Sequence, residues 1–174
     1  MRVLAIETAS EACSVALFES QTSAGTGDGS NSALLAHDHR VLGRGHAEYL
    51  IPMISGLPQK GRAARILVSV GPGSFTGVRV GVAAGRALGL AWGIKVSGYR
   101  TLQLIAATAQ TQRKEPVTVC MNGGHGEWFV QGFDEDGEPN DEVQSLQPEQ
   151  AAHAPSYGFV AGNRAQELHD IRLR

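Results

Sequence analysis

Cysteine is nearly absent from this chain: among 174 residues only Cys13 and Cys120 carry thiols, with no Cys-x-x-Cys pair and no Cys/His cluster. That excludes a disulfide framework and a thiolate metal site, and each cysteine, set in an apolar run, is expected as a small buried side chain. Charge of one sign is lacking as well. The 15 basic and 17 acidic side chains leave a net charge of -2, and no Lys/Arg run occurs. A phosphate backbone rewards clustered basic charge, so a free-standing nucleic-acid binder is excluded, while RNA contact within a larger assembly is not. Apolar runs are short. Arg86 and several glycines interrupt the longest ones, and the opening MRVLAIETAS lacks the basic-then-apolar layout of an export signal. No membrane span is expected, and the cytoplasm is the expected compartment.

Signatures of catalysis are missing too. The glycine-rich segment from Gly71 to Gly77 does not end in Gly-Lys-Ser/Thr and lacks dinucleotide spacing, and no Gly-x-Ser-x-Gly elbow occurs. No Ser or Cys has a base assigned to it by any pattern. His46 opens a helical segment where a metal motif needs a second histidine one turn later, and Leu50 stands there instead. His37, His39, His125, His153 and His169 form no ligand-spaced pair on a helix. Neither a catalytic residue nor a metal ligand set is expected.

What is present is a globular α/β pattern, with 42% hydrophobic residues, enough for a core in one domain or two small lobes. Val3 to Ile6 reads as a buried strand ending in polar Glu7 and Thr8. Ala12 to Glu19 alternates Cys13, Val15 and Leu17 with their neighbours as a hairpin partner. Ser20 to Ser32 has no bulky apolar side chain and is expected as a loop. Ala33 to Leu42 reads as a third strand. Leu50, Met53, Ile54 and Leu57 recur at helical spacing behind His46, with Pro52 expected near the first turns. Ile66 to Val70 is a central strand, Val78 to Gly93 a helix, and Ile94 to Val96 a further strand. A helix from Thr101 marks the boundary between a first lobe, residues 1–97, and a second, residues 98–174. There, strands are expected at Pro116 to Met121, Glu127 to Phe133 and Tyr157 to Ala161, with a loop at Asp134 to Asn140 and a last short helix. This second lobe reads as thin for a core of its own.

Two glycine constellations stand out. In the turn from Gly71 to Gly77 the backbone leaves a strand sharply, and free amides at the following helix start form an anion-binding concavity unless the turn serves chain reversal alone. Ser74 or Thr76 is a candidate cap. Together with Glu7 and Thr8 at the end of the first strand, Gly73, Ser74 and Thr76 make a candidate nucleotide or anion site; Glu7 read alone is equally a solvated loop carboxylate. Along the next helix Gly77, Gly81, Gly85 and Gly89 recur every four residues. Each interior glycine costs up to about 1 kcal/mol against alanine, so a close neighbour is needed. The helix from His46 to Leu57, a partner subunit, or both are open choices.

Taken together, Ala5-Ile6-Glu7-Thr8-Ala9, His46-Ala47-Glu48 and Gly71-Pro72-Gly73-Ser74-Phe75-Thr76-Gly77-Val78-Arg79, with Gly81 and Gly85 following, resemble the TsaB (YeaZ) family. Gly126-Glu127-Trp128-Phe129-Val130 and Ala161-Gly162-Asn163 are similar to it in the second lobe. Relatives carry an Asp-Ala-Arg-like segment where Met121 to His125 stands here. The resemblance implies a two-lobed actin/Hsp70/sugar-kinase (ASKHA) fold of mixed sheets flanked by helices, with the second lobe shortened. It implies a non-catalytic scaffold for making threonylcarbamoyladenosine beside the tRNA anticodon. The scaffold works beside the transferase TsaD, which has a metal-binding His pair on the corresponding helix, and the pair recruits the ATPase TsaE. The tRNA is engaged indirectly, a homodimer is expected without TsaD, and no cofactor is required. The implied interface is His46, Leu50, Met53 and Ile54 on one helix with Gly77, Val78, Gly81, Gly85, Leu88 and Gly89 on the other. Two alternatives remain in view. One is a regulatory protein binding ATP or ADP weakly through Glu7, Thr8 and the Gly71 to Gly77 turn; the other, a glycoprotease-like peptidase, lacks a visible nucleophile or metal.

Overall fold

The computed structural model describes residues 1–20, 32–154 and 157–173. The expected loop from Ser20 to Ser32 falls, for residues 21–31, outside the described residues. The chain divides into two units. Residues 1–70 and 74–99 form the first, and residues 71–73 and 100–174 the second. The division follows Tyr99, where the last strand of the first unit ends, three residues past the expected Val96.

The first unit is a sheet of five strands in the order β3-β2-β1-β4-β5, built from β1 (Arg2–Glu7), β2 (Ala12–Ser20), β3 (Ser32–Val41), β4 (Arg65–Ser69) and β5 (Lys95–Tyr99). β2 runs antiparallel to both of its neighbours, β1 and β3, while β4 lies parallel to β1 and β5 parallel to β4. Period-2 alternation places Leu4, Ile6, Cys13, Val15 and Leu17 on one face, joined by Ile66 and Val68. α1 (His46–Gly56) delivers Leu50, Met53 and Ile54 to that face, with Leu57 just beyond it. Full burial of one such side chain is worth about 1.5–3 kcal/mol. Pro52 sits inside α1 rather than near its start, and its ring lies on the exposed side. α2 (Phe75–Trp92) starts three residues before the expected Val78, because Ser74 caps it by accepting from the Gly77 amide at 3.2 Å. It ends at Gly93, whose φ of 66° suits the left-handed cap that glycine adopts without strain.

The second unit has the strand order β8-β7-β6-β9, from β6 (Val117–Gly124), β7 (Glu127–Phe133), β8 (Gln144–Leu146) and β9 (Val160–Ala161). It is better covered than the sequence suggests. α3 (Thr101–Gln110) sets Leu102 and Ala106 on Val117, Val119, Met121 and Phe133. A separate cluster of Cys120, Trp128, Val130, Ala151 and Leu168 is closed by α4 (Pro148–His153) and α5 (Ala165–Arg172). β8 and α4 are absent from the sequence reading, and β9 is shorter than the expected Tyr157 to Ala161. The Tyr157 amide bonds to the Thr118 hydroxyl at 2.7 Å, which takes the place of a ladder bond.

Candidate functional site: the end of the first strand and the paired helices

β1 ends where chemistry collects in open sheets, and the geometry there is tight. Thr8 is fully buried, and its hydroxyl donates to the Gly77 carbonyl at 2.8 Å. The Ser74 amide donates to the Ala9 carbonyl at 2.7 Å. Thr8 is therefore closed to solvent, Ser74 is occupied as the helix cap, and Thr76 is exposed on α2. Gly73 belongs to the other unit. Of the candidate nucleotide-contacting set, Thr8 is thus bound inward and serves as a fastener between β1 and α2.

Glu7 is neither a free loop carboxylate nor fully sealed. Its Oε1 accepts from the Ala9 amide at 2.6 Å, and the Tyr99 hydroxyl lies 3.3 Å from its Oε2 and 2.9 Å from the Ile6 carbonyl. Burial pushes the Glu7 pKa up, while bonds from Ala9, Ser69, Tyr99 and Thr8 pull it down without cancelling the burial effect. Burial first, and the nearby Glu7 charge second, push the Tyr99 hydroxyl far above the ordinary tyrosine range.

The expected partner-binding residues lie elsewhere than on an outer surface. Gly77, Gly81, Gly85 and Gly89 are buried against the unit's own sheet. A Cβ on Gly77 would come within 2.0 Å of the Thr8 carbonyl oxygen, on Gly81 within 2.3 Å of Thr8 Oγ1, and on Gly89 within 2.3 Å of Val96 Cγ2. The stripe thus lets α2 lie close on β1, β4 and β5; its neighbour is the sheet rather than another helix. Leu50, Met53 and Ile54 are likewise core, Leu88 packs against that core, and Val78 is half-buried. His46 is buried too. Its Nε2 lies 3.0 Å from the Ser10 carbonyl and 3.3 Å from that of Ala12, placing a donor there and tying α1 to the β1–β2 turn. A leucine at Gly85 would overfill the helix–sheet space and disturb the fold before it reported on any partner.

The outward faces of α1 and α2 carry a different set. Tyr49 and Ile51 on α1 are 41% and 46% exposed, Phe75 and Leu90 on α2 are 69% and 87% exposed, and Ala83 and Ala87 are exposed between them. Arg79 lies over the Phe75 ring, 3.4 Å from its centroid, a cation–π contact worth about 0.5–1 kcal/mol at an exposed site. A signal for this face existed in the sequence: it lies half a turn from the glycine stripe. Among the described residues no group of three or more His, Cys, Asp or Glu is placed to hold a metal, and no helix is long and apolar enough to cross a membrane. Both cysteines are buried and free.

The TsaD family model, tRNA N6-adenosine threonylcarbamoyltransferase, matches residues 40–166 of this chain. The tRNA threonylcarbamoyladenosine biosynthesis protein TsaB of Escherichia coli (strain K12) is 35% identical over 114 residues, which is 63% of this chain and 44% of that protein. TsaB of Bacillus subtilis (strain 168) is 28% identical over 117 residues, 63% of this chain and 45% of that protein. YeaZ from Pseudomonas aeruginosa superposes with a TM-score of 0.71 at 26% identity, covering 91% of this chain and 72% of that structure. The chain spans about half the length of the curated relatives it matches, at 44% and 45% of theirs.

Proposed function

We propose, from the premise that this chain belongs to the TsaB (YeaZ) family within the wider TsaD family, that it is a non-catalytic scaffold in tRNA threonylcarbamoyladenosine biosynthesis. In this reading it docks on a TsaD-type transferase in the cytoplasm, and the pair receives the TsaE ATPase. The tRNA is met through the assembly, and the scaffold needs no cofactor of its own. The single observation that carries the reading is the exposed apolar face of two adjacent helices, α1 and α2, in a chain whose family match spans both. Mostly small and apolar outward residues, Ile51, Ala83 and Ala87 with Tyr49, suit helix-to-helix docking at close range. Docking through these residues stabilises the transferase's working conformation, and without the partner the same face pairs two copies of this chain.

The contacts are thus shifted outward from the buried stripe to the opposite side of the same helices. Ile51→Glu and Ala83→Glu place a charge on the exposed face and leave the core untouched. Co-purification with a TsaD-type partner is expected to be lost in both variants while their circular dichroism stays that of the parent. Retained co-purification in both would overturn the assignment of this face.

A further inference from the structure

Away from Glu7 and the paired helices, His37 and His39 stand exposed on β3. They are two residues apart, so their side chains leave the strand on the same side of the sheet. Their cross-strand partners on β2 are Ala16 and Ser14, which places both on the face opposite the one where α1 meets Cys13, Val15 and Leu17. Two strand steps set their Cβ atoms about 6.6–6.8 Å apart, a span that two imidazoles can close on one ion at metal–nitrogen distances of about 2.0–2.1 Å. Spacing of i and i+2 thus does on a strand what i and i+4 does on a helix.

The neighbours on β2 favour this use. Ala16 is too short to fill the space beside His37, and Ser14 Oγ lies 2.7 Å from His39 Nδ1. An ion held on Nε2 leaves the ring proton on Nδ1, which then donates to Ser14 Oγ; such an outer contact fixes the tautomer and orientation of a ligating imidazole. Asp38 and Arg40 alternate to the other face of β3, where they pair at 2.8 Å, so no charged side chain of this strand stands between the two rings. Among the described residues no third His, Cys, Asp or Glu joins them. We propose that His37 and His39 form a two-imidazole site for a divalent transition-metal ion, zinc in the first place, with water in its remaining positions. Imidazole nitrogen suits zinc, nickel and copper, whereas magnesium and calcium require oxygen ligands that the pair does not offer. This goes beyond the scaffold reading, since the pair lies on the other side of the sheet from Ile51 and Ala83 and does not depend on a docked partner.

The test is a titration of zinc chloride into the full isotope-labelled chain, with the histidine ring signals followed by NMR and the affinity taken from calorimetry. The rings of His37 and His39 are expected to shift together and to saturate at one ion per chain, with His39 bound through Nε2, and a chelator should reverse the change. His37→Asn and His39→Asn each leave a single imidazole. Both are exposed substitutions that should keep the parent's circular dichroism, and each is expected to bind zinc at least about tenfold more weakly, because the second ligand no longer acts at high effective concentration. The proposal is overturned if zinc perturbs other histidines ahead of these two, if the two rings titrate at different midpoints, if one ion takes up two chains, or if either variant binds as tightly as the parent.

Discussion

The Thr8 hydroxyl reaches the Gly77 carbonyl at 2.8 Å, so the end of the first strand is bolted to the first turn of α2. That bond is possible only because Gly77 brings no Cβ between them; one built there would stand 2.0 Å from the Thr8 carbonyl oxygen. Thr8→Val keeps the shape and deletes the donor. The expected loss is about 1 kcal/mol of unfolding free energy, measured by urea titration, because Thr8 is wholly buried and water cannot replace the bond. Unchanged stability would deny the bond its fastening role.

The glycine stripe divides by what each position faces. At Gly85 a Cβ would rest 3.6 Å from Val68 Cβ, an ordinary contact, whereas at Gly81 it would press to 2.3 Å of Thr8 Oγ1. Gly85→Ala is therefore expected to be neutral or to stabilise by up to about 1 kcal/mol through helix propensity. Gly81→Ala is expected to destabilise, since Thr8 must turn away and give up its bond. Thermal unfolding of the two variants should show shifts of opposite sign, or no shift for the first and a clear loss for the second. Equal losses would mean that α2 does not lie on the sheet as described.

This contrast marks how far the sequence could be read. The repeat of Gly77, Gly81, Gly85 and Gly89 announced a close approach, but periodicity gives a face and not its neighbour. The sheet filled it. The exposure of Ile51 and Ala83 is not legible for the same reason, because spacing does not say which side of a helix the sheet covers. Ser74 as a cap, the buried cysteines, and the strand, turn and helix around Gly71 to Gly77 were legible from local chemistry. α4 was not: its start uses Gln150, whose side chain accepts from the Gln147 amide at 3.1 Å, in place of the usual short polar cap. β9 was overextended because the Thr118 side chain substitutes for backbone pairing at Tyr157.

Glu7 gives the unit a pH signature. Burial raises its folded-state pKa above the ordinary 4.5, so the folded chain binds that proton more tightly than the unfolded chain does. Its contribution to stability is thus least favourable at pH above the folded value and improves as pH falls through that value toward 4.5. Glu7→Gln removes the titration. Urea unfolding of the two proteins should show the parent gaining relative to the variant as pH drops across this window. A difference that moves the opposite way would mean that the hydrogen bonds from Ala9, Ser69 and Tyr99 outweigh burial.

Both thiols should be silent in the native state. Burial pushes Cys13 up and pushes Cys120 up to about 12, leaving little thiolate near neutrality. A colorimetric thiol reagent at mildly alkaline pH is expected to react with neither until denaturant is added, and then with both. Rapid labelling of the folded chain would contradict the packing of β2 or β6.

The most direct measurement of the proposed scaffold role is light scattering on a sizing column, with this chain alone and then mixed with a TsaD-type transferase from the same cell. The account predicts a one-to-one species that forms at the expense of any homodimer and is abolished by Ile51→Glu. Two unchanged peaks after mixing would contradict it.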